Sequence, residues 1–165
     1  MNFSFPYHRI ALADGRPAND WKGVIEPKLG GMWVLKIKDP DFTGHETGQV
    51  VVRRVPAGRY AIENFAFFGQ TPSASYNWSS AKPFSMQFTV APNQATYIGS
   101  FIRAPSLGTS LQGQLGAAGY FVVSDQANRD VPIARGKLSS LPQVSTQVTD
   151  VDAFGSVALR SSDPH

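Results

Sequence analysis

The chain has 165 residues, 42% of them hydrophobic and only 16% charged, with 15 basic residues against 12 acidic ones and a net charge of +3. It contains no cysteine, which excludes disulfides, cysteine-based metal sites and a cysteine nucleophile. No apolar run reaches the roughly 18 residues of a membrane span. The basic residues are scattered, without the dense, aromatic-studded stripe of a nucleic-acid binder, so no nucleic-acid partner is expected.

This length suits one domain spanning residues 1–165, able to bury about 70% of its unfolded surface without a metal or disulfide staple. The balance of 11 Phe, 5 Tyr, 15 Gly and 12 Pro is that of a turn-rich β protein. A helical bundle would favour Ala, Leu, Glu and Lys instead.

Residues 3–12 open the sheet, with Pro6 favouring an edge or a strand start. Residues 14–20 form a turn-rich connection. Over residues 32–38, Trp33, Leu35 and Ile37 share one face and should be core, with Lys36 and Lys38 on the other. Residues 39–48 read as a loop and 49–55 as the returning strand.

Pro56 presets φ for the second position of a tight turn and Gly58 closes it. The strand over residues 59–68 should point Tyr60, Ile62 and, after a bulge near Asn64, Phe65 inward. Residues 69–83 read as a polar loop holding Tyr76 and Trp78. Phe84, Met86, Phe88 and Val90 then alternate with Ser85, Gln87 and Thr89, the cleanest half-buried strand of the chain. A turn at residues 91–94 leads into a strand over 95–103.

Residues 105–119 are loop or hairpin material, and 119–124 form the last strong strand. Asp125 is placed to cap a helix. Ala127, Val131, Ala134, Leu138 and Leu141 follow at alternating spacings of four and three, one helical face. A short helix is therefore expected within residues 125–138, with Pro132 in its first turn or splitting it. Residues 143–165 read as a peripheral tail or edge strand, the strand over 154–159. Together these elements predict an all-β, two-sheet antiparallel sandwich with one short helix in the C-terminal half.

The run Val55-Pro56-Ala57-Gly58-Arg59-Tyr60, the strand over 84–90, the Ala91-Pro92-Asn93-Gln94 turn and Thr96-Tyr97-Ile98-Gly99 form a pattern. Tyr120 to Val123, followed by Asp125-Gln126-Ala127-Asn128-Arg129-Asp130, completes it. Across roughly residues 49–140 the chain resembles small bacterial cell-envelope proteins, often lipoproteins of unknown function. Their sandwich is immunoglobulin- or transthyretin-like, akin to carboxypeptidase-regulatory domains. The resemblance implies the periplasm or outer envelope, with a membrane reached only through a lipidated cysteine. This chain has none, so leader and anchor are expected outside it, or the anchor does not exist. The resemblance supplies no catalytic residues.

Hydrolysis through a positioned nucleophile finds only His8, His45 and His165 as possible bases, and no Gly-x-Ser-x-Gly elbow. Asp39, Asp41 and Thr43, with Gly44, mimic the first half of a calcium loop, but position 12 is Val50 where a bidentate glutamate belongs. No metal site and no cofactor are therefore expected; Asp39 and Asp41 are the weak candidates. Glu26, Glu63 and Asp125 lie near strands, but nothing pairs them for glycoside chemistry. The glycines over residues 113–119 lack the Gly-Lys-Ser/Thr of a phosphate loop.

Tyr76 and Trp78 are the candidate ligand-binding residues, because loop aromatics give large contact area at low entropy cost. The expected function is a non-catalytic envelope-associated binding domain recognising a protein or a cell-surface polymer. The alternatives are a metal-dependent or hydrolytic enzyme centred on Asp39, Asp41 and His45, and a purely structural envelope module.

Overall fold

The computed structural model describes residues 2–27, 39–70, 75–79, 84–109, 115–148 and 159–161. In chain order the strands are β1 (Asn2–Leu12), β2 (Lys22–Ile25), β3 (Gly58–Ile62), β4 (Ala66–Gln70), β5 (Ser75–Ser79), β6 (Met86–Val90), β7 (Ala95–Tyr97), β8 (Ser100–Thr109) and β9 (Leu115–Ser124). The helix α1 (Ala127–Lys137) follows, then β10 (Val144–Thr146) and β11 (Leu159–Ser161). The protein is all-β, with mostly antiparallel pairing and a single short helix among the described residues.

Alternation in β1 sends Phe5, Tyr7, Arg9 and Ala11 to the buried face. The strand sits inside a six-stranded sheet of order β5-β4-β1-β3-β6, with β2 also paired to β1. Pro6 lies mid-strand and is tolerated for a specific reason. The ladder with β4 covers Asn2 to Ser4 and the ladder with β3 starts at Tyr7, so its missing N–H falls in the gap. The pairing of β1 with β4 runs one residue out of step with its pairing of β3 at Tyr7. That extra residue lies between Ile62 and Ala66, and it keeps Phe65 buried beside Tyr60 and Ile62.

The Pro56–Tyr60 motif has a local explanation. The Tyr60 hydroxyl donates to the Pro56 carbonyl at 2.6 Å, pinning the turn onto its own strand. At Gly58, φ is +156°, and a Cβ would come within 2.6 Å of the Ala11 carbonyl oxygen. Glycine is required there by close backbone approach.

A three-stranded sheet of order β11-β9-β8 supplies the second face. Strands β8 and β9 pair residue for residue from Ser100–Ser124 to Thr109–Leu115, and β11 joins β9 in parallel. The two sheets meet through rings. Phe5 on β1 lies 4.6 Å from Phe101 and 4.7 Å from Phe121, centroid to centroid, and Phe65 lies 5.2 Å from Phe121. Tyr60 stacks on Phe88 at 5.5 Å inside the first sheet. Offset and edge contacts of this kind add to the gain from apolar burial alone.

Strands β7 and β10 form a separate parallel pair. Two side chains tie that pair to the larger sheet. The Thr96 hydroxyl on β7 donates to the Thr89 carbonyl at 2.7 Å. The Gln147 amide accepts from the Thr89 N–H at 2.8 Å and donates to the Thr89 carbonyl at 3.1 Å, standing in for a neighbouring strand on β6. The Gln147 N–H meanwhile donates to the Tyr97 carbonyl.

Several expectations need correction. The 69–83 stretch is not all loop, since it contains β5, and β4 and β5 pair in register from Ala66–Ser79 to Gln70–Ser75. The 49–55 stretch forms no strand. The described residues of the 105–119 stretch, 105–109 and 115–119, are strand, because a long ladder between β8 and β9 tolerates their Pro and Gly residues. The strand expected over 95–103 breaks between β7 and β8 at Gly99, whose φ is +115°. The helix runs through Pro132 in its second turn. Its N-cap is Gln126, which makes no side-chain capping bond, and Asp125, one residue earlier, accepts the Ala127 N–H at 2.9 Å. The strand expected over 32–38 and most of that over 154–159 lie outside the described residues.

Candidate functional site

The segment after Pro40 closes on itself before it meets the helix. The Asp41 N–H donates to the Gly48 carbonyl at 2.8 Å and the Gly48 N–H to the Phe42 carbonyl at 3.2 Å. Asp41 then turns its carboxylate inward. One oxygen accepts the Val50 N–H at 2.6 Å and also the Lys137 ammonium, which donates in addition to the Val50 carbonyl at 2.7 Å. Lys137 sits in the last turn of α1, where a cation also meets the negative end of the helix dipole.

Arg129, in the first turn of the helix, makes the second tie. Its Nη1 donates to Glu46 at 2.8 Å, its Nε to Asp130 at 2.7 Å and its Nη2 to the Ser100 hydroxyl at 3.1 Å. The guanidinium also lies over the Phe42 ring, 3.8 Å from its centre. Asp130 is buried, and its other oxygen accepts the Tyr97 hydroxyl at 2.8 Å. The Gln126 N–H donates to the same hydroxyl at 3.2 Å. Residues from the loop, β7, β8 and α1 thus share one network.

The network's protonation follows from this geometry. Burial pushes the Tyr97 phenol well above its ordinary range, and the Asp130 carboxylate adds to the push. Burial works against the Arg129 charge, but the hydrogen bonds to Asp130 and Glu46 outweigh it and hold the guanidinium above its ordinary value.

Two adjoining cavities flank the network, of about 400 and 450 Å³. They share Ile25, Val50, Val51, Thr96, Tyr97, Ile98 and Asp130. The smaller extends toward Phe42, Phe101 and His45; the larger runs under α1 along Val131, Ala134 and Leu138. Both fall in the size range of small-ligand pockets, and the walls are mainly apolar.

Of the two weak metal candidates, Asp41 has its carboxylate engaged by Lys137 and a backbone N–H, while Asp39 is bonded at its backbone carbonyl, which accepts the Gln49 amide at 3.4 Å. His45 is exposed at the mouth of the smaller cavity. Among the described residues no group of three or more His, Asp or Glu is placed to hold a metal. Tyr76 and Trp78 stand two residues apart on β5, opposite Gly69 and Phe67. Among the described residues β5 pairs only with β4, at the end of the sheet.

Apart from His45, the residues at the cavities are not singled out as a site by sequence. Tyr97 and the Arg129-Asp130 pair are nonetheless parts of the pattern that carried the envelope resemblance, and here they touch. No family model, no curated protein and no solved structure matches the chain. Among the described residues no helix is long and apolar enough to cross a membrane.

Proposed function

We propose that the chain is a binding domain with no chemistry of its own, and that it takes an apolar ligand in the cleft between residues 50–55, β7 and α1. One observation carries this reading: the carboxylate on the cleft wall, Asp130, and the neighbouring Asp41 are both bonded to other groups of the chain, while most of the wall is apolar. Asp130 is engaged by Tyr97 and Arg129, and Asp41 by Lys137 and Val50. A general base or nucleophile needs a group open to substrate, whereas a binding site needs a concave apolar surface with few polar groups.

The test is a titration with a neutral, polarity-sensitive fluorophore. The wild type is expected to bind it. Ala134→Phe, which projects a ring from α1 into the larger cavity, should abolish binding; Leu138→Ala, which widens it, should not. Equal binding by Ala134→Phe, or no binding by the wild type, sinks the reading.

The proposed setting is the bacterial cell envelope, for which the support is the turn-and-strand resemblance. The edge position of β5 favours a second surface, where Tyr76 and Trp78 would meet an envelope protein or a surface polymer. Replacing both with Ala should weaken partner capture and leave the Tm nearly unchanged. A large loss of Tm would assign them to packing.

A further inference from the structure

We infer that the larger cavity takes an amphiphilic carboxylate, a medium-length apolar chain with an anionic head, supplied as a free fatty acid. This rests on the cleft being the working surface and adds the chemistry of its occupant. The tail is assigned by the walls: Val51, Val55, Val90, Val131, Leu138 and Leu141 all line this cavity. The head is assigned by charge. Arg53 and Arg54 line the same cavity, and both are exposed.

Among the described residues neither arginine forms an ion pair. Arg53 makes one long bond, 3.4 Å to the carbonyl of its neighbour Val52. Arg9, Arg16 and Arg129, by contrast, each sit on a carboxylate. The acid that lines the cavity, Asp130, has both oxygens occupied by Tyr97 and Arg129 and so leaves the two arginines uncompensated. An aliphatic pocket bordered by two unpaired guanidinium groups is complementary to a chain ending in a carboxylate, which a planar guanidinium binds with two parallel hydrogen bonds. A neutral alcohol of equal length fills the same walls but offers no charge. A cationic amphiphile is repelled.

The experiment compares decanoate, decanol and decyltrimethylammonium by calorimetric titration at low ionic strength. Decanoate should bind roughly tenfold more tightly than decanol, a modest factor because the arginines are exposed. The cation should bind most weakly. Added salt should erase the advantage of the acid and leave decanol unchanged. Arg53→Gln with Arg54→Gln should do the same, and Arg54→Glu should take decanoate below decanol.

Equal binding of acid and alcohol, unmoved by salt or by these variants, overturns the anionic head and leaves the apolar cleft standing. Binding of none of the three overturns both. Capture on vesicles of anionic phospholipid that depends on Arg53 and Arg54, without decanoate binding, overturns the free acid in favour of a lipid surface.

Discussion

Around Phe121 the contacts are rings against rings; around Arg129 they are charges against charges. Phe121 is wholly buried and meets Phe3, Phe5 and Phe65, residues of β1 and of the β3–β4 connection, from the opposite sheet. Arg129 is only partly buried and gathers Glu46, Asp130, Ser100 and the face of Phe42 from three parts of the chain. The first region gains by removing apolar area from water, and it degrades in proportion to what is cut away. The second exchanges water for specific partners, so losing one member strands the others. A rigid aromatic core therefore carries a flank whose cohesion depends on a few bonds. The cleft lies along that flank.

Cutting into the core should produce the largest effect. Phe121→Ala is expected to cost about 3–5 kcal/mol in urea unfolding. A loss below 1 kcal/mol would show that the two sheets do not depend on this ring.

Asp130→Ala comes next. It leaves the Tyr97 hydroxyl without its acceptor and Arg129 without one carboxylate, at an expected cost of about 2–3 kcal/mol. It should also loosen residues 41–50, seen as faster amide exchange at Val50. Unchanged exchange there would separate the loop from the network.

The third prediction concerns pH. The folded Tyr97 phenol titrates above the unfolded one, whose value is about 10. Its stabilising contribution is whole below that value and is lost as pH rises toward the folded one. Stability should fall above about pH 10, and Tyr97→Phe should flatten that slope in part. The remainder belongs to Tyr60, which burial also raises. An identical alkaline slope in Tyr97→Phe would contradict the buried hydrogen bond.

The smallest effect is expected for Glu46→Gln, which removes a partly exposed ion pair and should cost no more than about 1 kcal/mol. High salt should weaken the wild type by a similar amount and leave the variant alone.

These two regions also differ in how far sequence reveals them. The core is written in local alternation: Met86 and Phe88 are buried where the period of two puts them, as are Tyr60 and Ile62, with Phe65 recovered by the bulge. The helix is likewise visible in the spacing of Val131, Ala134 and Leu138. Short or glycine-rich strands are not. β2 is a four-residue strand carrying Gly23, and β9 holds Gly116 and Gly119, so their strand character comes from their partners rather than from their own propensity.

The flank is hidden for a different reason. Glu46 and Arg129 are 83 positions apart, and Tyr97 and Asp130 are 33 apart. No local period links residues that meet only when the loop, β7 and α1 come together. Asp41 shows the hazard of reading such residues alone, since its spacing suggests a cation loop and its carboxylate holds a lysine.

The most direct test of the binding reading is to map amide chemical shifts while titrating decanol, the uncharged probe, into the labelled protein. The account predicts that the perturbed signals fall on residues 50–55, Ile98, Val131, Leu138 and Leu141, around the cleft. Perturbations confined to β5, or scattered without saturation, would contradict it.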